Sequence, residues 1–167
     1  LVGATRQLSG RGRGNNAWWA RSGSLTHSIL LDPLQLGISP SQWPQLSLAL
    51  GGSICAVLSA QLPGHDVRLK WSNDVYVNGR KIAGILVESV PSRPGRVVAG
   101  IGVNVNNSLE SAPAEVRERA TSIIDLRGKV TPLIDLLIPM LQQVERDLRA
   151  LGRQDPQWLQ RCREFCF

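Results

Sequence analysis

Three short stretches of this sequence carry residue types that could do chemistry on an anionic substrate. The first, residues 7–18, reads QLSGRGRGNNAW. Its glycines let the backbone turn through positive φ and approach a ligand closely, and Arg11 and Arg13 offer forked donors that match phosphate or carboxylate oxygens. The pattern predicts a flexible, cationic loop that binds anions. A solvated Arg/Gly loop or a nucleic-acid-binding tail is the alternative that this stretch alone leaves open.

The second and third stretches lie near the middle of the chain. Residues 70–74 read KWSND and residues 81–88 read KIAGILVE. Among their residues, Lys81 and Asp74 carry opposite charges, and any functional role for them has to be weighed against an ordinary structural one. A solvated hairpin lysine and a turn cap are their respective alternatives.

Composition is that of an ordinary globular protein with one domain. The chain has 167 residues, of which 43% are hydrophobic and 19% are charged, and its formal net charge is +6. This length is enough to bury a sizeable core. The positive residues are dispersed, without a long run of lysine and arginine. The charge therefore favours anionic ligands but gives no sign of a nucleic-acid-binding arm.

The numbers and positions of the cysteines and histidines bear on the redox compartment and on metal binding. Cys55, Cys162 and Cys166 form an odd and sparse set, which indicates a reducing compartment without a disulfide framework. His27 and His65 are isolated, so we expect no metal site made of protein side chains. We find no apolar run of membrane-spanning length and no basic-then-apolar leader. These features predict a cytoplasmic protein.

Strands are predicted where apolar and polar residues alternate. Asn78-Gly79 is the strongest two-residue hairpin signal, so the segments on either side of it should pair. Trp71 continues the alternation of its strand and is interpreted as a core residue. The predicted strands cover residues 1–6, 25–31, 67–71, 75–77, 81–90 and 97–105.

The last predicted strand has two different faces. Its odd-numbered residues are apolar, whereas Gly100, Gly102, Asn104 and Asn106 lie on the other face. Glycines on an open sheet face leave room for a ligand that lies flat on the sheet. A bulge or a tight barrel corner is the alternative. Asn104 could also simply end the strand.

Helices are predicted over residues 41–62, 114–120 and 131–151 and around Trp158. The first is apolar nearly all round, which indicates burial against a sheet. Gly51-Gly52 inside it costs about 1 kcal/mol per glycine in helix propensity, so we expect close packing there. The third has one apolar stripe and contains Pro139, which predicts a kink. These elements predict an α/β fold of the α+β type, in which a mixed, mostly antiparallel sheet packs against helices.

Taken together, four motifs resemble those of biotin protein ligases. The family pattern is Gln-x-x-Gly-Arg-Gly-Arg with a following Trp, then Lys-Trp-Pro-Asn-Asp, Lys-[Leu/Ile]-[Ala/Gly]-Gly-[Ile/Val]-Leu and Gly-x-Gly-x-Asn. Here the motifs occupy residues 7–18, 70–74, 81–86 and 100–104, in the same order. Ser72 replaces the usual proline, and Asn15 stands where glycine is common. The resemblance spans residues 1 to about 125 and, more loosely, the C-terminal helices.

The resemblance implies a class II synthetase-like ligase catalytic domain over residues 1–167. It also implies that the family's biotin-binding Ser-Thr-Asn segment and small C-terminal β-barrel are not included. Such a domain forms biotinyl-5'-adenylate from biotin and ATP, with Mg²⁺ held mainly by phosphates, and transfers biotin to a lysine of a biotin carboxyl carrier protein or domain. A lipoate protein ligase, a catalytically incomplete binding fragment and a nucleic-acid-binding domain are the alternatives.

No helix-turn-helix is found, so no DNA partner is expected. No membrane partner is expected either, and whether the protein forms a homodimer is left open.

The same resemblance assigns roles to individual residues. The implied catalytic residues are Lys81, Arg13 and Asp74. The implied biotin-binding residues are Gln7, Gly10, Arg11, Gly84 and Gly100. The implied nucleotide-binding residues are Arg13, Trp18, Asn73, Lys81 and Asn104.

Overall fold

Eight strands and five helices make up the computed structural model, which describes residues 1–167. The strands are β1 (Val2–Ala4), β2 (Gly10–Arg11), β3 (Ala17–Trp18), β4 (Leu25–Leu31), β5 (Val67–Lys70), β6 (Asp74–Val77), β7 (Arg80–Ser89) and β8 (Val97–Val103). The helices are α1 (Leu46–Gln61), α2 (Ala114–Arg119), α3 (Ile123–Arg127), α4 (Ile134–Gly152) and α5 (Pro156–Phe165). Short 3-10 helices cover Leu34–Leu36, Pro40–Gln45 and Leu109–Ser111.

Six strands form one sheet in the order β1-β4-β8-β7-β6-β5, and each neighbouring pair is antiparallel. Two isolated parallel bridges, Leu69 with Cys166 and Lys81 with Ala120, add the parallel contribution. The predicted Asn78-Gly79 hairpin is present, with both residues at positive φ, as a type I′ turn requires. The mixed, mostly antiparallel α+β fold is therefore confirmed.

The helix α1 packs on one face of this sheet, and α4 and α5 pack against α1. A Cβ added at Gly51 would lie 2.5 Å from Cδ1 of Leu69, and one at Gly52 would lie 2.9 Å from Sγ of Cys162. The glycine pair therefore permits the close packing that the sequence predicts. The helical segment Pro40–Gln61 is long and apolar enough to cross a membrane by length and composition, contrary to our sequence reading. However, 61% of that segment's most apolar window is buried inside the protein, as in a core helix.

A buried carboxylate joins the three large helices. Asp147 in α4 accepts hydrogen bonds from Ser53 of α1 and from Gln143 on its own helix. Its other oxygen pairs with Arg161 of α5, at 3.3 Å. Because its partners come from α1, α4 and α5, this hydrogen-bond network fixes how α4 and α5 pack around α1.

The structure corrects one sequence prediction and adds one helix that was not predicted. Trp71 is not a core residue, since it is 66% exposed. The reason is that β5 ends at Lys70, which pairs with Asp74, so the alternation stops one residue early. The helix α3 was not predicted because five residues are too few for a periodic signal; Ser122 caps it and Gly128 ends it with φ 66°.

One buried histidine makes stability depend on pH. His27 in β4 is 5% exposed, and neither ring nitrogen has a hydrogen-bond partner. Its register partner is Ile101, so the ring lies on the sheet face that carries the core. Burial, followed by the positive N-terminal amine, lowers the pKa of His27 from 6.5 to about 4.

We expect His27 to destabilise the fold in acid. The unfolded chain binds a proton on His27 between pH 6.5 and 4 and the folded chain does not, so stability falls as the pH drops through this window. The loss attributable to His27 is about 3 kcal/mol in the free energy of unfolding at pH 4. Urea unfolding at pH 7 and pH 4 measures it, with His27→Leu as the variant that cannot titrate. An equal loss in both proteins would contradict the prediction.

Candidate active site

A cavity of about 480 Å³ lies on the sheet face opposite α1. Its lower wall comes from β4, β6, β7 and β8. Its upper wall comes from within residues 11–18, which belong to the segment 10–18 that we call the Arg/Gly hairpin. The hairpin consists of β2 and β3, which pair only with each other. The cavity therefore has a floor inside the large sheet and a cover that lies outside it.

The cavity floor follows from the register of the strands. Directly paired residues share a face of a sheet, and Gly102 pairs with both Thr26 and Gly84, while Gly84 pairs with Asp74. The glycine face predicted from the sequence is therefore present, and no bulge interrupts β8. The floor consists of two rows: Thr26, Gly102, Gly84 and Asp74 in one, and Ser28, Gly100 and Leu86 in the other.

Trp18 of the Arg/Gly hairpin lies against this floor. A Cβ on Gly102 would come within 2.7 Å of the indole, and a Cβ on Gly84 would come within 3.3 Å. Any side chain at Gly102 would therefore push the hairpin away from the sheet. The two glycines allow both a flat floor and a closely seated cover.

A β-bulge brings Lys81 to the floor. The register shifts between Val75 and Tyr76, so that Tyr76 faces Lys81 and not Ile82. Ile82 and Ala83 are consequently both buried in the core, and Lys81 joins Gly84 on the cavity face. Without the extra residue, strict alternation would turn Lys81 toward the core. No sequence signal marked this bulge.

Lys81 and Asp74 form an ion pair at the floor. Lys81 Nζ lies 2.7 Å from Asp74 Oδ1, and the two side chains are 29% and 24% exposed. The ammonium also lies 5.6 Å from the centre of the Trp18 ring, a cation–π distance. Partial burial strengthens such interactions relative to those in bulk water. The predicted catalytic lysine and carboxylate are thus in direct contact.

The two arginines of the hairpin have different partners. Arg11 donates to Glu88 at 3.0 Å, whereas Arg13 donates to the Ser72 hydroxyl at 2.8 Å. The adjacent Asn73 donates to the carbonyl of Ile85, which fixes the 71–73 turn beside the cavity. Arg13 therefore carries a positive charge that has no carboxylate partner, and Arg11 does not.

Apart from the core histidine His27, three residues that line the cavity have a buried polar atom without a hydrogen-bond partner. They are Gln7 (the acceptor Oε1), Trp18 (the donor Nε1) and Asp74 (Oδ1, which lies 2.7 Å from Lys81 Nζ). Buried polar groups in proteins are almost always paired, and unpaired ones call for an explanation. The Gln7 and Trp18 atoms lie against glycines, since a Cβ on Gly10 would come 3.0 Å from Gln7 Oε1 and a Cβ on Gly102 would come 2.7 Å from Trp18 Nε1, so they are covered by the protein itself.

The structure brings nine of the predicted site residues to this cavity: Gln7, Arg11, Arg13, Trp18, Asn73, Asp74, Lys81, Gly84 and Gly100. It does not bring Gly10 or Asn104 there. Gly10 is required by the hairpin, because a Cβ would lie within 3.0 Å of the Trp18 carbonyl. Asn104 is 3% exposed, donates to the carbonyl of Thr121 and accepts from Asn107.

We expect Asn104→Ala to lower stability and to leave ligand affinity nearly unchanged. The substitution leaves the buried Thr121 carbonyl and the Asn107 amide without a hydrogen-bond partner, which lowers the free energy of unfolding by about 2 kcal/mol. Urea unfolding measures the loss, and calorimetric titration of the folded variant measures affinity. A large loss of nucleotide affinity in a variant of native stability would restore the role that the resemblance assigned to Asn104.

Sequence reasoning missed several residues that line the cavity. Thr26 and Ser28 were read only as the polar side of a strand, and Glu88 was not singled out. Glu88 follows Gly84 by four residues in β7, so period-2 alternation places both on the same face. That spacing was a signal available in the sequence.

Comparisons with known proteins agree with this geometry. The sequence model of the biotin/lipoate A/B protein ligase family matches residues 1–106. A bifunctional ligase/repressor of Bacillus spizizenii is 34% identical over 132 residues, which cover 77% of this chain and 39% of that protein. A biotin–[acetyl-CoA-carboxylase] ligase of Mycobacterium tuberculosis is 38% identical over 157 residues, which cover 92% of this chain and 56% of that protein.

Solved structures give the same result. The biotin protein ligase of Aquifex aeolicus in complex with biotin and ATP superposes with a TM-score of 0.79 at 32% identity. The match covers 91% of this chain and 61% of that one. The chain thus spans between about two fifths and three fifths of the length of these relatives.

Proposed function

The chain belongs to the biotin/lipoate A/B protein ligase family, and on this premise we propose that it is an ATP-dependent biotin protein ligase. In this proposal it forms biotinyl-5'-adenylate from biotin and ATP. It then transfers the biotinyl group to a lysine of a biotin carboxyl carrier domain. Biotin is preferred to lipoate because the relatives described above are biotin ligases.

The observation that carries the proposal is the convergence of the separate motifs on one cavity. The Arg/Gly hairpin covers a floor of glycines, and the Lys81–Asp74 pair stands at the end of that floor. A flat bicyclic ligand suits the shape of this floor. The cationic wall suits the phosphates of a nucleotide.

In the first half-reaction, a carboxylate oxygen of biotin attacks the α-phosphorus of ATP, and pyrophosphate leaves. Two anions must approach each other, so cations are needed to hold them together and to stabilise the charge that develops. Lys81 at the floor and Arg13 in the cover are positioned for this role. The hairpin also shields the reactive mixed anhydride from water.

In the second half-reaction, the lysine amine of the acceptor attacks the activated carbonyl, and AMP leaves. The amine must lose a proton as the amide forms. Asp74 is the carboxylate of the cavity floor, and it is our candidate to orient the amine and accept that proton. Binding of the first ligands would compete for Lys81 and so free Asp74 for this step.

The remaining participants follow from the same chemistry. No cluster of three or more metal-ligating side chains is present, so Mg²⁺ would arrive with ATP and be held mainly by phosphate oxygens and water. All three cysteines are free, and burial raises the pKa of Cys55 and Cys162, which keeps their thiols unreactive. We propose a reducing, cytoplasmic location for the reaction.

The test is biotin-dependent exchange of labelled pyrophosphate into ATP, followed by transfer of labelled biotin to a purified carrier domain. The proposal predicts exchange with biotin and none without it. Exchange that requires lipoate would reassign the substrate. A folded chain that binds biotin and ATP without exchange would be a binding fragment.

A further inference from the structure

The cover of the cavity is attached to the rest of the protein by few polar contacts. Neither β2 nor β3 forms backbone hydrogen bonds to the six-stranded sheet. Two side-chain hydrogen bonds join the Arg/Gly hairpin to the remainder of the chain, Arg11 to Glu88 and Arg13 to Ser72. The seating of Trp18 on the glycines and beside the Lys81 ammonium is the third attachment. The position of the cover therefore depends on very few groups.

Glu88 stands on the cavity face of β7, at the rim. It pairs with Val98 in the register that pairs Gly84 with Gly102, so four residues, or about 13 Å of strand, separate it from Gly84. Arg11 is the one hydrogen-bond partner of its carboxylate. The Arg11–Glu88 pair therefore spans the opening at the end of the cavity away from Asp74.

Arg11 and Arg13 differ in whether their positive charge is already paired. Arg13 contacts a neutral hydroxyl and keeps its charge available to a phosphate, whereas the charge of Arg11 is already matched by Glu88. We propose that Glu88 is a positioning residue, which holds the Arg/Gly hairpin closed over the cavity through Arg11. This proposal rests on the proposed function, and it adds a residue that the four motifs do not single out.

The consequence concerns retention of the adenylate. An open cover admits water, which converts biotinyl-adenylate to biotin and AMP. The side chains of Arg11 and Glu88 are 76% and 48% exposed. The ion pair therefore contributes at most a modest free energy to closing the hairpin, and salt weakens it. A loss of about 1 kcal/mol corresponds to roughly fivefold more frequent opening.

The experiment compares Glu88→Gln with Glu145→Gln in the full chain. Glu145 forms an exposed pair with Arg149 on α4, far in the chain from the cavity, so the control removes the same charge. One readout is biotin-dependent AMP release without acceptor, divided by the rate of pyrophosphate exchange. The other is hydrogen exchange of the backbone amides of residues 10–18, which requires no activity.

We expect Glu88→Gln to raise both readouts about fivefold at low salt and the control to leave them unchanged. High salt should bring the wild type close to the variant. The double substitution Arg11→Glu with Glu88→Arg should restore slow amide exchange, because the charges are exchanged but still paired.

Two results would overturn the positioning role: a Glu88→Gln variant that behaves as the control does, or a swapped pair whose hairpin stays as mobile as in Glu88→Gln. Absence of pyrophosphate exchange in the wild type would count against the proposed function alone. In that case amide exchange of the hairpin still decides whether Glu88 holds the cover.

Discussion

Substituting Lys81 by alanine is expected to lower biotin-dependent pyrophosphate exchange by at least about 100-fold, the usual cost of removing one donor that stabilises developing charge. Lys81 is the cation of the cavity floor, and it stands beside both Asp74 and Trp18. Its removal leaves the two anionic substrates with too little positive charge between them. Exchange kinetics at saturating ATP and biotin measure the effect.

The chain offers a matched control, since Lys129 is an exposed lysine outside the cavity. We expect Lys129→Ala to retain full exchange. Thermal unfolding should be nearly the same for both variants, because the Lys81 pair is partly exposed and contributes little to stability. Retention of exchange in a folded Lys81→Ala variant would remove this residue from the chemistry.

Substituting Gly100 by alanine is expected to lower kcat/KM for biotin by roughly 100-fold without harming the fold, since small misplacements of a substrate carry costs of this size. A Cβ at Gly100 would find its nearest protein atom, the carbonyl oxygen of Leu86, at 3.6 Å, an ordinary contact. The added methyl group therefore occupies the cavity floor without straining the protein. The Gly100→Ala variant therefore tests loss of ligand space separately from loss of stability.

Gly3 provides the corresponding control, since a Cβ there would meet only the carbonyl oxygen of Thr26, at 3.8 Å, in an exposed edge strand. Both Gly→Ala variants should be as stable as the wild type or slightly more stable, because alanine restricts the unfolded chain. An unchanged KM for biotin in Gly100→Ala would show that the ligand does not lie on the glycine floor.

The parts of this fold that depend on local pattern could be predicted from the sequence. Asn78-Gly79 gave the hairpin, and the odd and even positions of β8 gave its core face and its glycine face. Gly51-Gly52 indicated tight packing inside α1, which Leu69 and Cys162 provide. In each case, the signal was contained in a few consecutive residues.

The parts that depend on pairing between distant strands could not be predicted. The bulge that turns Lys81 toward the cavity arises from its register with Tyr76, and the sequence of β7 alone does not encode it. Trp71 was placed wrongly because the end of β5 is set by its partner strand. Asn104 fits the family motif, but its amide is used by Thr121 and Asn107, which come later in the chain.

The cavity floor joins β4 near the start of the chain to β7 and β8 much further along. Such non-local pairing is slow to form, because long stretches of chain must be ordered before the stabilising contacts form. During synthesis, the floor cannot exist until residue 103 has left the ribosome, although the Arg/Gly hairpin is available early. A ligand would therefore find no floor to bind until β8 has paired with β4 and β7.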